Sequence, residues 1–261
     1  MYDLAALEAE LVETIFAGKL HFAAVTGSTN NDAMAAARKG AAHGSVYFAD
    51  AQSAGRGRSD HRWESAHGEG IYVSVVLRPQ ASVDRWSLLP LCTGLAAMEA
   101  MRTVAGVAPD LRWPNDVLVA DHKLCGILVE AGTDERGEKF AVAGIGINVH
   151  QRAFPADLQQ SVTSLDGAAG RTIPRQSVLV CLLQSLQRES EGLADEARVH
   201  AIPARMERSS TWLRGRRVRV HGPQACQGIT AGLDAYGFLR VATATGIVTV
   251  QTGGIRAAEM E

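Results

Sequence analysis

The sequence predicts an α+β protein, one large sheet with helices packed across it, followed by a small all-β unit. Three observations predict it. β-branched and aromatic segments of strand length alternate with helical patterns through most of the chain. Residues 110–149 then hold three strands in quick succession with only tight turns between them. From Gly215 onward the texture changes to short strands at the regular turn spacing of a small barrel. The expected division is 1–212 and 213–261.

At 261 residues the chain can bury a substantial core. A formal charge of -2 argues against a nucleic-acid coat or a polybasic membrane anchor. No apolar run approaches the roughly 20 residues needed to span a bilayer. Acids near the N-terminus stand where a signal peptide would carry cations, so the expected location is cytoplasmic. Cys92, Cys125, Cys181 and Cys226 are far apart and read as buried thiols, not as a zinc site or a disulfide framework.

Taken in order, Leu4, Leu7, Leu11 and Ile15 recur at helical spacing, with Gly18 as the stop. A strand over 19–25 then empties into the turn Thr26-Gly27-Ser28-Thr29-Asn30, which opens an alanine-rich helix running to Gly40. Ser28 or Thr29 can cap that helix and do nothing else, but such a turn also places spare N–H groups and hydroxyls where a polar ligand can be held. Segments 45–52 and 71–77 read as two strands of one sheet. Helical patterns follow at 88–104 and 176–193, residues 199–208 carry the chain out of the first unit, and none of the three carries a catalytic constellation.

The connection from Gln52 to Trp63 is the part that a fold alone does not call for. It crowds Arg56, Arg58 and Arg62 around Gly55 and Gly57, which suits a loop awaiting an anion. A solvated hairpin tip is the alternative. Further on, Pro114 interrupts ladder pairing and leaves Asn115 and Asp116 at a strand break. Lys123 begins the strand 124–130; it either snorkels to water or shares a destination with Asp116 across a short hairpin. Gly144-Ile-Gly-Ile-Asn148 lacks the third glycine and the following helix of a dinucleotide fingerprint, so its glycines mark close approach of a backbone or a ligand. In the C-terminal unit, strands are expected at 216–220, 226–233, 238–242 and 247–251. The first carries Arg214, Arg216, Arg217 and Arg219 on or beside it, which favours a solvated edge strand over a nucleic-acid grip.

Read together, Ser28-Thr29-Asn30, Gln52 with Ala-Gly-Arg-Gly-Arg at 54–58, Trp63, Trp-Pro-Asn-Asp at 113–116, the run from Lys123 to Glu130 and Gly-Ile-Gly-Ile-Asn at 144–148 resemble the biotin protein ligases over nearly the whole chain. The resemblance implies a mixed sheet like that of class II aminoacyl-tRNA synthetase catalytic domains, then an SH3-like barrel. It implies ATP and biotin as substrates with Mg²⁺, and biotin activated as biotinyl-5′-AMP. Transfer would follow to a lysine of a biotin carboxyl carrier protein, such as a subunit of acetyl-CoA carboxylase. A lipoate-protein ligase is the nearest alternative.

By that resemblance Lys123, Arg58 and Asp116 are catalytic. Ser28, Thr29, Asn30, Gln52, Gly55, Arg56, Lys123 and Gly126 bind biotin, while Arg58, Trp63, Asn115 and Asn148 bind the nucleotide. Asp116 is also a candidate Mg²⁺ ligand, and it could orient or deprotonate the acceptor lysine. The short segment before the first strand implies a ligase without operator DNA binding, with a homodimer open. One departure from the family pattern is Ser59-Asp60-His61-Arg62 in place of a second glycine–arginine pair, where Asp60 would partly neutralise Arg58 or Arg62.

Overall fold

In the computed structural model, which describes residues 2–58, 61–155, 158–159 and 161–258, seven strands form one mixed sheet. They are β1 (Leu20–Thr26), β2 (Val46–Gln52), β3 (Gly70–Leu77), β4 (Asp110–Arg112), β5 (Asp116–Val119), β6 (His122–Thr133) and β7 (Lys139–Asn148), in the order β1-β2-β3-β7-β6-β5-β4. Only β1 and β2 pair in parallel, which requires a crossover, and helix α2 (Thr29–Arg38) supplies it. The remaining strands are antiparallel, so β5, β6 and β7 form the expected meander.

Side chains alternate across β7, and this alternation sorts the molecule into two layers. Ala143, Ile145 and Ile147 enter the larger core, beneath α3 (Leu89–Ala100) and α5 (Arg175–Glu191). Helix α3 is apolar nearly all round because it lies between the sheet and α5, with Leu91, Ala96, Ala97 and Met98 buried. Gly94 keeps it close to the sheet, since a Cβ there would lie 2.6 Å from Leu111 Cδ1. On the other face, Ala33, Met34 and Ala37 of α2 pack on Val76, Phe140 and Val142. Gly144 and Gly146 continue that second face, and nothing bulky grows from them.

A second, antiparallel sheet closes the chain, from β8 (Arg214–His221) through β9 (Cys226–Leu233), β10 (Leu239–Thr243) and β11 (Gly246–Val250) to β12 (Gly254–Ala257), in the order β11-β10-β9-β8-β12. Its apolar side joins the main core through Trp212, Leu213, Val218, Leu239 and Val250. Trp113 Nε1 donates to the Gly237 carbonyl at 3.1 Å. Gly237, at φ +79°, can approach because a Cβ would meet Leu91 at 2.7 Å.

The structure corrects four sequence expectations. The N-terminal helix α1 (Leu4–Glu10) stops at Leu11, its C-cap, and does not continue to Ile15, although Leu11 is buried. The pattern over 88–104 is α-helical only to Ala100 and then widens, through Met101–Ala105, onto Gly106. The arginine-bearing strand is no edge: β8 lies between β9 and β12. Two of its four cations are engaged, with Arg214 paired to Glu207 at 2.8 Å, Arg216 paired to Asp121 at 3.3 Å, and the Arg216 guanidinium 3.5 Å from the Trp212 ring centroid, while Arg217 and Arg219 are exposed. Finally β12, the short helix α4 (Leu165–Ala169) and the helix α6 (Glu196–Arg208) are additional elements.

A buried ion pair ties α5 to the sheet. Arg175 donates to Asp50 Oδ1 at 2.7 Å and to the Gly70 carbonyl at 2.9 Å, and its guanidinium lies 4.6 Å from the centroid of Tyr2. Asp50 and Arg175 are both buried. Removing Arg175 leaves the buried Asp50 carboxylate with only His67, 3.2 Å from its other oxygen. Arg175→Ala is therefore expected to lower stability by about 3–5 kcal/mol, read from urea unfolding midpoints; a loss under about 1 kcal/mol would mean that water reaches Asp50.

Candidate active site

The face of the sheet that carries Gly144 and Gly146 is where the sequence-derived residues meet. Gly126 of β6 pairs directly with Gly146 of β7 and with Asp116 of β5. Trp63 rests on that glycine pair: a Cβ on Gly146 would lie 2.4 Å from the indole and one on Gly126 2.8 Å. This accounts for Gly146 as the close approach its sequence position suggested, and adds Gly126 to it. The indole Nε1 is buried without a hydrogen-bond partner.

Lys123 reaches the same face through an irregularity in β6. Cys125 pairs with Val117 but Lys123 pairs with Leu118, so β6 holds one extra residue there. A bulge of this kind re-aims a side chain across the sheet. The Lys123 ammonium consequently contacts Asp116 Oδ1 at 2.6 Å and stands 5.5 Å from the Trp63 ring centroid. Its backbone is clamped as well, with N–H donating to Ser161 O at 2.8 Å and C=O accepting from Thr163 N at 2.9 Å.

The second oxygen of Asp116 accepts from Arg112 at 2.8 Å. Burial works to raise the Asp116 pKa, but its ion pairs and hydrogen bonds with Lys123 and Arg112 outweigh that and hold the carboxyl below its ordinary value. Such a carboxylate stays ionised and is a poor proton acceptor. Arg58 is held by Asn115 Oδ1 at 3.1 Å and by the Gly253 carbonyl at 2.8 Å. Burial draws its pKa down, and the Asp116 charge opposes that shift. Asn115 itself donates to Ile127 O at 2.8 Å, which fixes its amide.

The arginine loop folds back on itself. Trp63 N donates to Gly55 O at 3.0 Å, Gly57 N donates to His61 O at 2.8 Å, and Arg56 and Arg62 face each other between them. Gly55 is obligatory at this crossing, because a Cβ would stand 2.4 Å from Trp63 O. Arg56 does not await an anion as the sequence suggested. It forks onto Glu130, with both contacts at 2.9 Å, and also donates to Asn31 at 2.8 Å. Ser59 and Asp60 lie outside the described residues, and with them the expected neutralisation by Asp60.

At the N-terminus of α2, Ser28 holds the N-cap position but its side chain makes no capping bond. Its Oγ is buried without a partner, and so is Asn30 Oδ1. Thr29 and Gln52 are occupied with each other. Thr29 N donates to Gln52 Oε1 at 2.9 Å, Gln52 Nε2 donates to Ser65 Oγ at 2.7 Å, and Ser74 Oγ lies 2.9 Å from the Thr29 hydroxyl. Asn148, at the end of β7, spends its amide nitrogen on Thr163 O at 3.1 Å.

Lys123, Asp116, Trp63 and Gly126 are thus brought together, Arg58 joins Asn115, and Ser28, Thr29, Asn30 and Gln52 gather at the start of α2. Sequence reasoning missed Arg112, Glu130, Ser65, Gly146 and the Gly253 carbonyl as parts of the site. Glu130 and Gly146 stood inside segments already singled out; no local signal marked the others. A separate cavity, of about 390 Å³, is lined by Arg102, Arg188, Arg205 and Arg208 with Glu99 and Glu189. All four arginines occupy last turns of helical segments, where cations offset the helix dipole.

A glycine-floored sheet face with a half-buried lysine–aspartate pair, an arginine loop above it and unpartnered polar atoms beside it is suited to a small polar or anionic ligand. The profile of the biotin/lipoate A/B protein ligase family matches residues 22–149. A biotin–[acetyl-CoA-carboxylase] ligase of Mycobacterium tuberculosis is 34% identical over 91% of this chain and 88% of its own length. A bifunctional ligase/repressor of Bacillus subtilis is 37% identical over 61% of this chain, which spans 50% of that protein. The biotin protein ligase of Aquifex aeolicus, solved with biotin and ATP, superposes with a TM-score of 0.78 at 26% identity, covering 92% of this chain and 98% of that one. The chain belongs to the biotin/lipoate A/B protein ligase family.

Two outcomes are expected of this geometry. Because the Asp116 pKa is lowered on folding, the stability it contributes is complete above its ordinary value of 3.8 and is lost as pH falls through the lower folded-state value. The difference in unfolding midpoint between wild type and Asp116→Asn should therefore be constant from about pH 7 to about pH 5 and shrink below about pH 4. Gly146→Ala should keep the fold, since the indole can turn away, but should unseat Trp63 and shift tryptophan emission to longer wavelength. Unchanged emission would show that the indole does not depend on the glycine pair.

Proposed function

We propose that this chain is an ATP-dependent biotin protein ligase, with residues 1–212 as its catalytic unit and 213–261 as its C-terminal unit. In the first step the biotin carboxylate attacks the α-phosphate of ATP, forming biotinyl-5′-AMP and releasing pyrophosphate. In the second, an unprotonated lysine amine of a carrier domain attacks the anhydride carbonyl, forming an amide and releasing AMP. The carrier is proposed from the relatives named as acetyl-CoA-carboxylase ligases.

One observation carries the reading: a lysine cation fixed by Asp116 on the same sheet face as unpartnered polar atoms at the start of α2. The first step brings two anions together, so fixed cations that meet the developing charge supply most of the rate, typically 10²–10³ for each donor, at an order-of-magnitude level. Lys123 is that cation, oriented by Asp116 and sheltered by Trp63. Arg58 is the second. It is held by two neutral oxygens, so its charge is undiminished and free to meet phosphate.

Ser28 and Asn30 offer the buried polar atoms that a ureido ring can satisfy. Thr29 and Gln52 hold that pocket's wall through their own bonds. Trp63 and Asn148 are proposed beside the adenylate, and Asn115 acts through Arg58. Both oxygens of Asp116 are engaged by cations, and no group of three His, Cys, Asp or Glu among the described residues could hold an ion. These residues do not fit a protein-held metal, and Mg²⁺ is the counter-ion that would arrive with ATP.

The family includes lipoate ligases, and exchange of labelled pyrophosphate into ATP separates the two. Exchange is expected with biotin as the only added acid; exchange with lipoate alone would replace the reading. Lys123→Ala should cut biotin-dependent exchange by about 10²-fold or more while the protein stays folded, with a modest fall in thermal midpoint from the lost pair with Asp116. Near-normal exchange in that variant would reduce Lys123 to a structural cation.

A further inference from the structure

Glu130 touches none of the groups proposed to react, yet it joins three segments that build the cleft. Both amino groups of Arg56 donate to it from the loop, and Asn30 Nδ2 donates to its Oε2 from the first turn of α2. An ionised carboxylate only accepts hydrogen bonds. Asn30 must therefore turn its Nδ2 toward Glu130, and its Oδ1 the other way.

The consequence is a buried acceptor of fixed direction. Asn30 is 4% exposed, and its Oδ1 overlies Gly144, where a Cβ would come within 2.4 Å of it. Gly144 is one inward-facing position along β7 from Gly146, about 7 Å from the floor beneath Trp63. No donor among the described residues meets that oxygen. A ligand N–H would satisfy it, whereas an acid without one would leave it buried and unpaired, which is the strong form of selection against a poorly matched substrate.

We propose that Glu130 is a positioning residue for acid selection: by holding the Asn30 amide in one orientation, it makes Asn30 Oδ1 an acceptor reserved for a ring N–H of the substrate. This rests on the reading of the chain as a biotin ligase, since biotin's cyclic urea carries N–H groups and lipoate's dithiolane carries none. Holding Arg56 on the same carboxylate makes the selection part of how the loop is seated.

Glu130→Gln tests it with little change of shape. A glutamine can donate to Asn30 Oδ1, which lets the amide invert and present Nδ2 to the ligand. Dissociation constants for biotin, desthiobiotin and lipoate are measured by calorimetry on the full chain as wild type, Glu130→Gln, Asn30→Ala and the double variant. Glu130→Gln is expected to weaken biotin and desthiobiotin together, roughly 10-fold or more, without weakening lipoate. The KM for biotin in pyrophosphate exchange should rise more than kcat falls. In the Asn30→Ala background, Glu130→Gln should add almost nothing.

If the two effects add, Glu130 acts through Arg56 and the inference is wrong. Equal losses for biotin and lipoate overturn it too. Where lipoate binding is too weak to measure, the double-variant cycle decides alone. Wild type that binds lipoate but not biotin would defeat the functional reading before any variant is compared. Thermal midpoints of all four proteins, expected to agree within a few degrees, separate a binding effect from a folding one.

Discussion

The contact between Lys123 and Asp116 is the interaction on which the cleft depends, and it exists because a strand breaks its own rule. Strict alternation from Gly126 along β6 would send Lys123 to the opposite, apolar face. One extra residue restores it to the ligand side, where Asp116 stands across from Gly126. The pair then has a price in desolvation that Arg112 helps to offset by taking the other carboxylate oxygen. With two cations on one carboxylate, the local charge stays positive. A site built to collect anions has to be, and it does so without leaving a bare ammonium in a partly buried place.

The arginine loop solves a different charge problem. Three cations in seven residues would repel one another if none were engaged. Arg56 is neutralised by Glu130, whereas Arg58 is held by an amide and a backbone carbonyl, neither of which carries a formal charge. Two neighbouring arginines thus end in opposite electrostatic states. The first fastens the loop to β6 and α2; the second remains a usable positive charge.

How much of this the sequence disclosed follows from what local pattern can encode. The sheet, α2 and the meander announce themselves by periodicity and turns, and the motif residues were legible as types suited to anions. What could not be read was direction. Lys123 looked as ready to snorkel as to serve, because nothing in Lys123-Leu-Cys-Gly reveals that a bulge follows it. Arg56 looked unpartnered because Glu130 is 74 residues away. β8 looked like an edge because charge on a short strand usually means one, and β12, which covers it, is only four residues long. In each case a long-range contact overrode a sound local inference.

The C-terminal sheet illustrates the same point at larger scale. Its contribution is made through backbone carbonyls, which carry no sequence signature at all. Gly253 O accepts from Arg58 and Gly237 O from Trp113, one contact reaching the loop and the other the segment that leads into Asn115 and Asp116. Both carbonyls belong to turns of the second sheet, and both glycines have positive φ. At Gly253 a Cβ would lie 2.0 Å from His221 O, so no other residue could bring that carbonyl to the guanidinium. The second sheet therefore acts on the cleft by geometry alone. It sets where Arg58 stands while leaving its charge intact, which a carboxylate in the same place could not do.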